Sequence, residues 1–226
     1  MQVVSHRLPL FPLGTVLFPG LVLPLHVFEQ RYRTMVADLL ALPEAERRFG
    51  VLAIRQGREV GADGVGALYD VGCVAHVRRA DPYDDGRYDL VSTGTARFAL
   101  RELDESGPYL VGEVDLLPDE MGPSAEAPLL DAAVRTAFAA YLGALSRASR
   151  QDVPMPDLPD SPMVLGYLVA ATTALDLEDR QRLLAASDGT GRLRAELALL
   201  RREVTLLTRL SAAPAPELAR GPVSPN

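Results

Sequence analysis

The sequence predicts an α+β protein: an antiparallel β-barrel with one early inserted helix, followed by a C-terminal helical bundle. Three observations predict it. Up to about Pro118, short β-rich runs alternate with Gly and Pro, the pattern of strands joined by turns. Asp85-Gly86 sits between two of those runs and is a hairpin dipeptide. After Pro118 the apolar residues change to spacings of three and four, the period of a helix.

The strand runs are read in order. They are Leu21 to Val27, Phe49 to Ile54, Tyr69 to Val77, Arg87 to Ser92, Ala96 to Leu103 and Tyr109 to Leu117. Glu29 to Leu42 interrupts them. Its Tyr32, Met35, Val36, Leu39 and Leu40 fall on one helical face. In the second half, Leu130, Val134, Ala137, Phe138, Tyr141 and Leu145 form one helical stripe. A proline-rich break, Pro154 to Pro162, follows. Ser161-Pro162 then places an N-cap residue before a proline at the first helical position, and that helix runs to about Leu175. Asp176 caps a short helix carrying Leu177, Leu183 and Leu184. A last helix from about Thr190 to Leu210 carries Leu193, Leu197, Leu200, Val204 and Leu207. The division is therefore residues 1–118, residues 119–212, and a proline-rich tail, 213–226, too poor in apolar residues to offset its ordering entropy.

Composition limits the chemistry. All 23 Lys+Arg positions among the 226 residues are arginine. Without lysine there is no Walker A loop, no Schiff base and no Ser-Lys dyad. The abundance of Ala, Arg, Gly and Pro fits a GC-rich bacterial genome. One cysteine, Cys73, excludes an internal disulfide and a cysteine-based zinc cage. A net charge of -7 argues against nonspecific nucleic-acid binding. No signal peptide is read at the start. Ser161 to Leu175 is too short to span a membrane. These points predict a soluble cytoplasmic protein.

No catalytic, cofactor or metal constellation emerges. Asp81, Asp84, Asp85 and Asp89 lack calcium-loop spacing and read as a solvated hairpin. Gly61 to Gly66 lacks a dinucleotide-binding order. Gly189-Thr190-Gly191 opens a helix and reads as a loop with a Thr190 cap. His6, His26 and His76 belong to no catalytic motif. His26 reads as a hydrogen-bonded structural residue. Cys73 reads as a buried, inert thiol, because nothing nearby would activate it. The opening block, Leu8 to Arg33, is very apolar yet cut by Pro9, Pro12, Pro19, Pro24, Gly14 and Gly20. Its Phe11, Phe18 and Leu21 are expected on irregular or edge backbone, where an apolar patch could bind an extended peptide. The competing reading is that they close the barrel.

That opening block resembles the N-terminal, substrate-binding domain of Lon proteases. Further pieces match in order: Tyr69 to Ala75, Asp85-Gly86-Arg87-Tyr88, Gly94 to Phe98, Pro108 to Leu110 with Glu113-Val114, Leu177 to Leu184, and Arg192-Leu193. The resemblance spans about Leu8 to Leu210. It implies a PUA-like barrel with a helical bundle and a role in recognising unfolded or tagged polypeptide. The absence of lysine leaves this chain neither the Lon ATPase loop nor its protease dyad. Glu29 and Arg97, charged residues inside apolar motifs, are expected to form a buried ion pair between the early helix and the barrel. The expected function is a non-catalytic polypeptide-binding module with Phe11, Phe18 and Leu21 as contacts and no cofactor. The expected cellular role is an adaptor in protein quality control, working beside a separate protease. Two alternatives remain. PUA-like barrels also bind RNA, which would require Arg78, Arg79, Arg87, Arg97 and Arg101 to form a positive face. A hydrolase would need a pocketed His or Cys beside a carboxylate.

Overall fold

The computed structural model describes residues 5–57, 65–122 and 125–212. The tail 213–226 and most of Gly61 to Gly66 lie outside them. The strands are β1 (Ser5–Leu13), β2 (Val22–Val27), β3 (Arg48–Gly57), β4 (Val65–Leu68), β5 (Val71–Pro82), β6 (Tyr88–Asp104) and β7 (Val111–Leu116). Helix α1 (Gln30–Leu40) is inserted after β2. Four helices follow the strands: α2 (Ala127–Ser149), α3 (Pro162–Thr172), α4 (Leu177–Leu184) and α5 (Gly189–Ala212). The change of period near Pro118 thus falls just after the last strand.

The sheet curls back on itself. Its order is β1-β7-β6-β5-β3-β4, and β3 also pairs with β1. That last pairing is parallel, joining Leu10 to Leu13 with Gly50 to Ala53, whereas every other pairing is antiparallel. The prolines do not break β1. The strand pairs with β7 through Ser5 to Pro9 and changes partner to β3 at Leu10. Pro9 therefore falls where one ladder ends and the next begins, a position that tolerates a missing donor. Pro24 lies in β2, which pairs only with β6 among the described strands. The two runs expected at 87–92 and 96–103 are one bent strand, β6. Thr95 is an extra residue in its ladder with β5, and Arg78 is the extra residue on β5. Such bulges bend a strand and increase its twist.

Interior faces are filled by distinct clusters. Leu10, Leu52, Val74, Phe98 and Val114 fill the inside of the curled sheet. Tyr32, Met35, Val36 and Leu39 of α1 pack on the outside against Phe11, Phe49 and Leu90. Val134, Phe138 and Tyr141 of α2 meet Leu165 and Val169 of α3 and Leu193 and Leu200 of α5. Helix α2 has the length and apolar composition of a membrane span. It nevertheless carries the Asp131–Arg135 ion pair, at 2.9 Å, and this buried face.

Local signals account for the ends and turns. Gly86 adopts φ +80°, as a tight hairpin requires. Arg33 of α1 donates to the Gly86 and Asp85 carbonyls at 2.7 and 2.8 Å, strapping the helix to the turn. Asp176 caps α4, accepting from the Asp179 amide at 2.7 Å. At α5 the capping side chain is Asp188, which accepts from Gly191 N at 2.7 Å. Thr190 instead donates to the Met121 carbonyl. The Gly189 and Thr190 amides are also taken, by Glu120 O and Met121 O, so this helix start offers no open anion site.

Close backbone approach sets where glycine is required. A Cβ on Gly94 would lie 2.4 Å from the Phe18 carbonyl, while on Gly143 of α2 it would meet only Arg147, at 3.5 Å. Gly94→Ala should therefore destabilise the protein by about 1–3 kcal/mol, and Gly143→Ala should stabilise it by about 0.5–1 kcal/mol. Urea unfolding of both variants checks the opposite signs.

Candidate functional site

The structure separates the three expected contact residues. Phe11 is buried, its ring stacked on Tyr32 at 4.1 Å between centroids. Phe18 is fully buried against Tyr167, at 6.1 Å. Phe18 is out of a ligand's reach, so the expectation fails for it, whereas Phe11 keeps a small exposed edge in a hollow shared with Leu25, Phe28 and Tyr32. The reason is that the prolines shape the backbone without loosening it. Leu13, Val16, Leu17 and Phe18 all turn inward, and the Phe18 carbonyl accepts from Leu21 N in a turn. Leu21 remains half-buried and faces a larger groove.

This groove has a volume of about 310 Å³ and runs between the opening block and α3. Pro19, Gly20 and Leu21 form one wall. Val164, Tyr167 and Leu168 of α3 form the other, and Asp157, Leu158 and Pro159 close one side. Each wall is fixed. Gly20, at φ +84°, donates to Gly94 O at 2.9 Å, and Gly94 N donates to Leu21 O at 2.8 Å. Arg135 of α2 holds the Pro159 carbonyl at 2.7 Å. Val164 is 47% exposed. The residues from the helical half were not singled out from sequence. The available signal was α3 itself, which is apolar on every side (Pro162-Met163-Val164-Leu165-Gly166-Tyr167-Leu168-Val169), more than one buried face needs.

The seam beneath the groove is polar and buried. Arg97 and Glu29 do not pair as expected: Glu29 lies 3.1 Å from Arg31, and Arg97 lies 2.9 Å from Asp119. Arg97 stands opposite Cys73 in the β5–β6 ladder and points at the helical half, away from α1. Its guanidinium, 2% exposed, also donates to the carbonyls of Leu184, Ala186 and Pro118 at 2.6–2.9 Å. Asp119 in turn accepts from the Tyr167 hydroxyl. Arg192 of α5 lies over the Tyr167 ring, 4.1 Å from its centroid, and donates to Leu183 O at 3.0 Å. Gln181 of α4 adds a bond to Val71 O of β5, at 2.8 Å. Burial pushes the Glu196 carboxyl well above its ordinary range despite Arg192 nearby, and neither carboxyl oxygen has a hydrogen-bond partner among the described residues.

The remaining candidates are structural. Burial raises the Cys73 thiol to about 12, so it stays protonated and unreactive. His26 Nδ1 pairs with Asp89 at 2.7 Å, and the Tyr83 hydroxyl donates to the same carboxylate at 2.6 Å. This cluster joins β2 to the start of β6 and is about half exposed, and His26 also borders a small hollow shared with Leu25, Phe28 and Tyr32. His76 Nε2 bonds the Glu44 carbonyl at 2.9 Å, so that nitrogen carries the proton, because a carbonyl only accepts. Four of the five arginines that could have formed a positive face are ion-paired: Arg79 with Asp81, Arg87 with Asp85, Arg97 with Asp119 and Arg101 with Asp115. The fifth, Arg78, donates to Thr93 at 3.4 Å.

Residues 7–202 match the model of the ATP-dependent protease La (LON) substrate-binding domain. The chain belongs to the Lon substrate-binding domain family. The curated relatives are full Lon proteases. Lon protease 2 of Syntrophobacter fumaroxidans is 31% identical over 80% of this chain. Lon protease of Roseiflexus castenholzii is 33% identical over 91% of it. The chain spans only about a quarter of their length, 22% and 25%. A Lon N-terminal domain protein from Xanthomonas campestris has the same fold, with TM-score 0.61 and 27% identity, covering 85% of this chain and 98% of that one. The N-terminal domain of a Mycobacterium avium complex Lon protease shares the fold at TM-score 0.58 and 18% identity. The family is thus that expected from the ordered motifs.

The seam generates two expectations. Arg97→Ala should cost about 3–5 kcal/mol, because it leaves Asp119 and three carbonyls without their donor, and Arg97→Lys should recover little of it. Denaturant unfolding measures both. For Glu196 the sign is opposite. Its folded-state affinity for the proton is raised, so folding loses free energy as pH rises above about 4.5, where the unfolded carboxyl ionises. Glu196→Gln should be more stable than wild type at pH 7, with the gain fading by pH 4, as followed by thermal melts across that range.

Proposed function

We propose that this chain binds extended, apolar segments of unfolded polypeptide in the groove between Leu21 and α3, and that it is a recognition module rather than a catalyst. The observation that carries this reading is the groove itself. It is open, lined mainly by apolar side chains, and built by two parts of the chain locked together at the buried seam. Exposed apolar surface set in a rigid frame suits ligands defined by side-chain character more than by sequence. Membership in the Lon substrate-binding family supports the same class of partner. The absence of lysine supports the non-catalytic part, since neither a Walker A loop nor a Ser-Lys dyad can form on these 226 residues. A cytoplasmic adaptor that hands clients to a separate protease is the cellular role that fits.

The alternatives gain less support. A nucleic-acid ligand needs unneutralised cations along one face, whereas the barrel arginines are mostly ion-paired. A hydrolase would have to use His26 of β2 and Asp89 of β6, whose side chains are about half exposed to water, with the ring also facing Arg87, at 3.3 Å.

The test is binding of a reduced, permanently unfolded protein, followed by fluorescence anisotropy. Val164→Asp, on an exposed site, should keep the fold and weaken binding by about tenfold, roughly the loss of one buried apolar contact. Leu21→Asp should do the same. Unchanged affinity in both folded variants would place the contact surface elsewhere.

A further inference from the structure

We propose that the notch between β1 and β3 is a second subsite. It takes the last residue of a polypeptide, with the terminal carboxylate on Arg48 and His6 and an apolar side chain on the floor. This inference rests on the polypeptide-binding reading and adds a chemical class of ligand to it.

The notch follows from the strand pairing. β1 pairs with β3 only from Leu10 onward, and its first residues have moved over to β7. At Leu8 a gap of about 120 Å³ therefore opens beside Arg48. Leu8, Val74 and Ala96 form an apolar floor, continuous with the cluster around Phe98 inside the sheet. Thr95, the bulge residue, also lines the gap. Its hydroxyl is already donated to Val74 O at 3.1 Å. The polar contribution is thus left to Arg48 and His6.

Charge then selects the ligand. Among the described residues, no Asp or Glu lines the notch. Arg7, on its rim, is committed to Asp104. Arg97 and Arg101 on β6 and Arg79 on β5 have carboxylate partners of their own. Arg48 makes no ion pair among the described residues, in a chain of net charge -7. A guanidinium binds a carboxylate with two parallel hydrogen bonds, and an imidazole N–H can add a third. The volume is well below that of sites for larger ligands, about 300–1,000 Å³, and suits one side chain. A carboxylate adjoining one apolar side chain is the chemistry of a peptide's C-terminal residue.

The experiment uses the whole chain and a fluorescein-labelled decapeptide ending in leucine, made as the free acid and as the C-terminal amide. Fluorescence anisotropy should show the acid binding about tenfold more tightly. Arg48→Gln should abolish that preference, and Arg48→Lys should restore part of it. Val164→Asp should weaken both forms and preserve their ratio. If acid and amide bind wild type equally, or if Arg48→Gln keeps the preference, the subsite is wrong while the groove reading stands. A second arm titrates N-acetyl-leucine against the backbone amides of His6 and Thr95 by NMR. Should neither peptide bind while N-acetyl-leucine still shifts those amides, the polypeptide reading fails and the notch is a site for small carboxylates. Shifts produced equally by inorganic phosphate would overturn the carboxylate assignment.

Discussion

A guanidinium removed from water must have every donor satisfied, and Arg97 meets that demand only if the chain is assembled as it is. Its partners come from the connector after β7, Pro118 and Asp119, and from the end of α4, Leu184 and Ala186. The sheet and the helices therefore cannot shift past each other without stranding a buried charge, which costs several kcal/mol. Asp119 extends the constraint to α3 through Tyr167, and the Tyr167 ring extends it to α5 through Arg192. The groove lies directly over this seam, with Tyr167 in both. Its width is thus set by hydrogen-bond geometry as well as by apolar packing, which alone would admit small slips.

Much of the fold was legible in the sequence because periodicity and turn chemistry are local. The β-to-α change near Pro118, the Asp85-Gly86 hairpin, the α1 face and the Asp176 cap each depend on residues within one element. What was not legible depends on distant partners. Pro9 and Pro12 read as strand breakers, since nothing local shows that β1 changes neighbours at Leu10. Arg97 read as the partner of Glu29 because both are charges in apolar motifs. Asp119, in the connector after β7, carries no local signal of its role. Thr190 read as a cap because it opens a helix, yet Asp188 reaches the free amide.

The candidate site was legible in still smaller part. The opening block was recognised as unusual, but the sequence alone could not assign its inward and outward faces. Phe18 lies on irregular backbone, which has no fixed period from which to read a face, and Phe11 lies in β1, a strand hidden by its prolines, so both looked as available as Leu21. One wall of the groove comes from α3, more than 140 positions further along the chain than Leu21. The arginines posed the same problem. Composition gives their number, while only their pairing determines whether they form a charged surface or a set of neutral pairs.

Arg33 grips the β5–β6 turn by its carbonyl oxygens, at Asp85 and Gly86, and not by its side chains. Every residue type presents the same carbonyl, so this clasp does not read the identity of the tip. Gly86 is the exception, because a Cβ there would lie 2.1 Å from Arg33 Nη2. The tip at Tyr83, Asp84 and Asp85 can therefore drift in sequence, and even change its charge, while the helix stays fastened to the sheet. This corner can acquire new surface chemistry without any change to the structure that carries it.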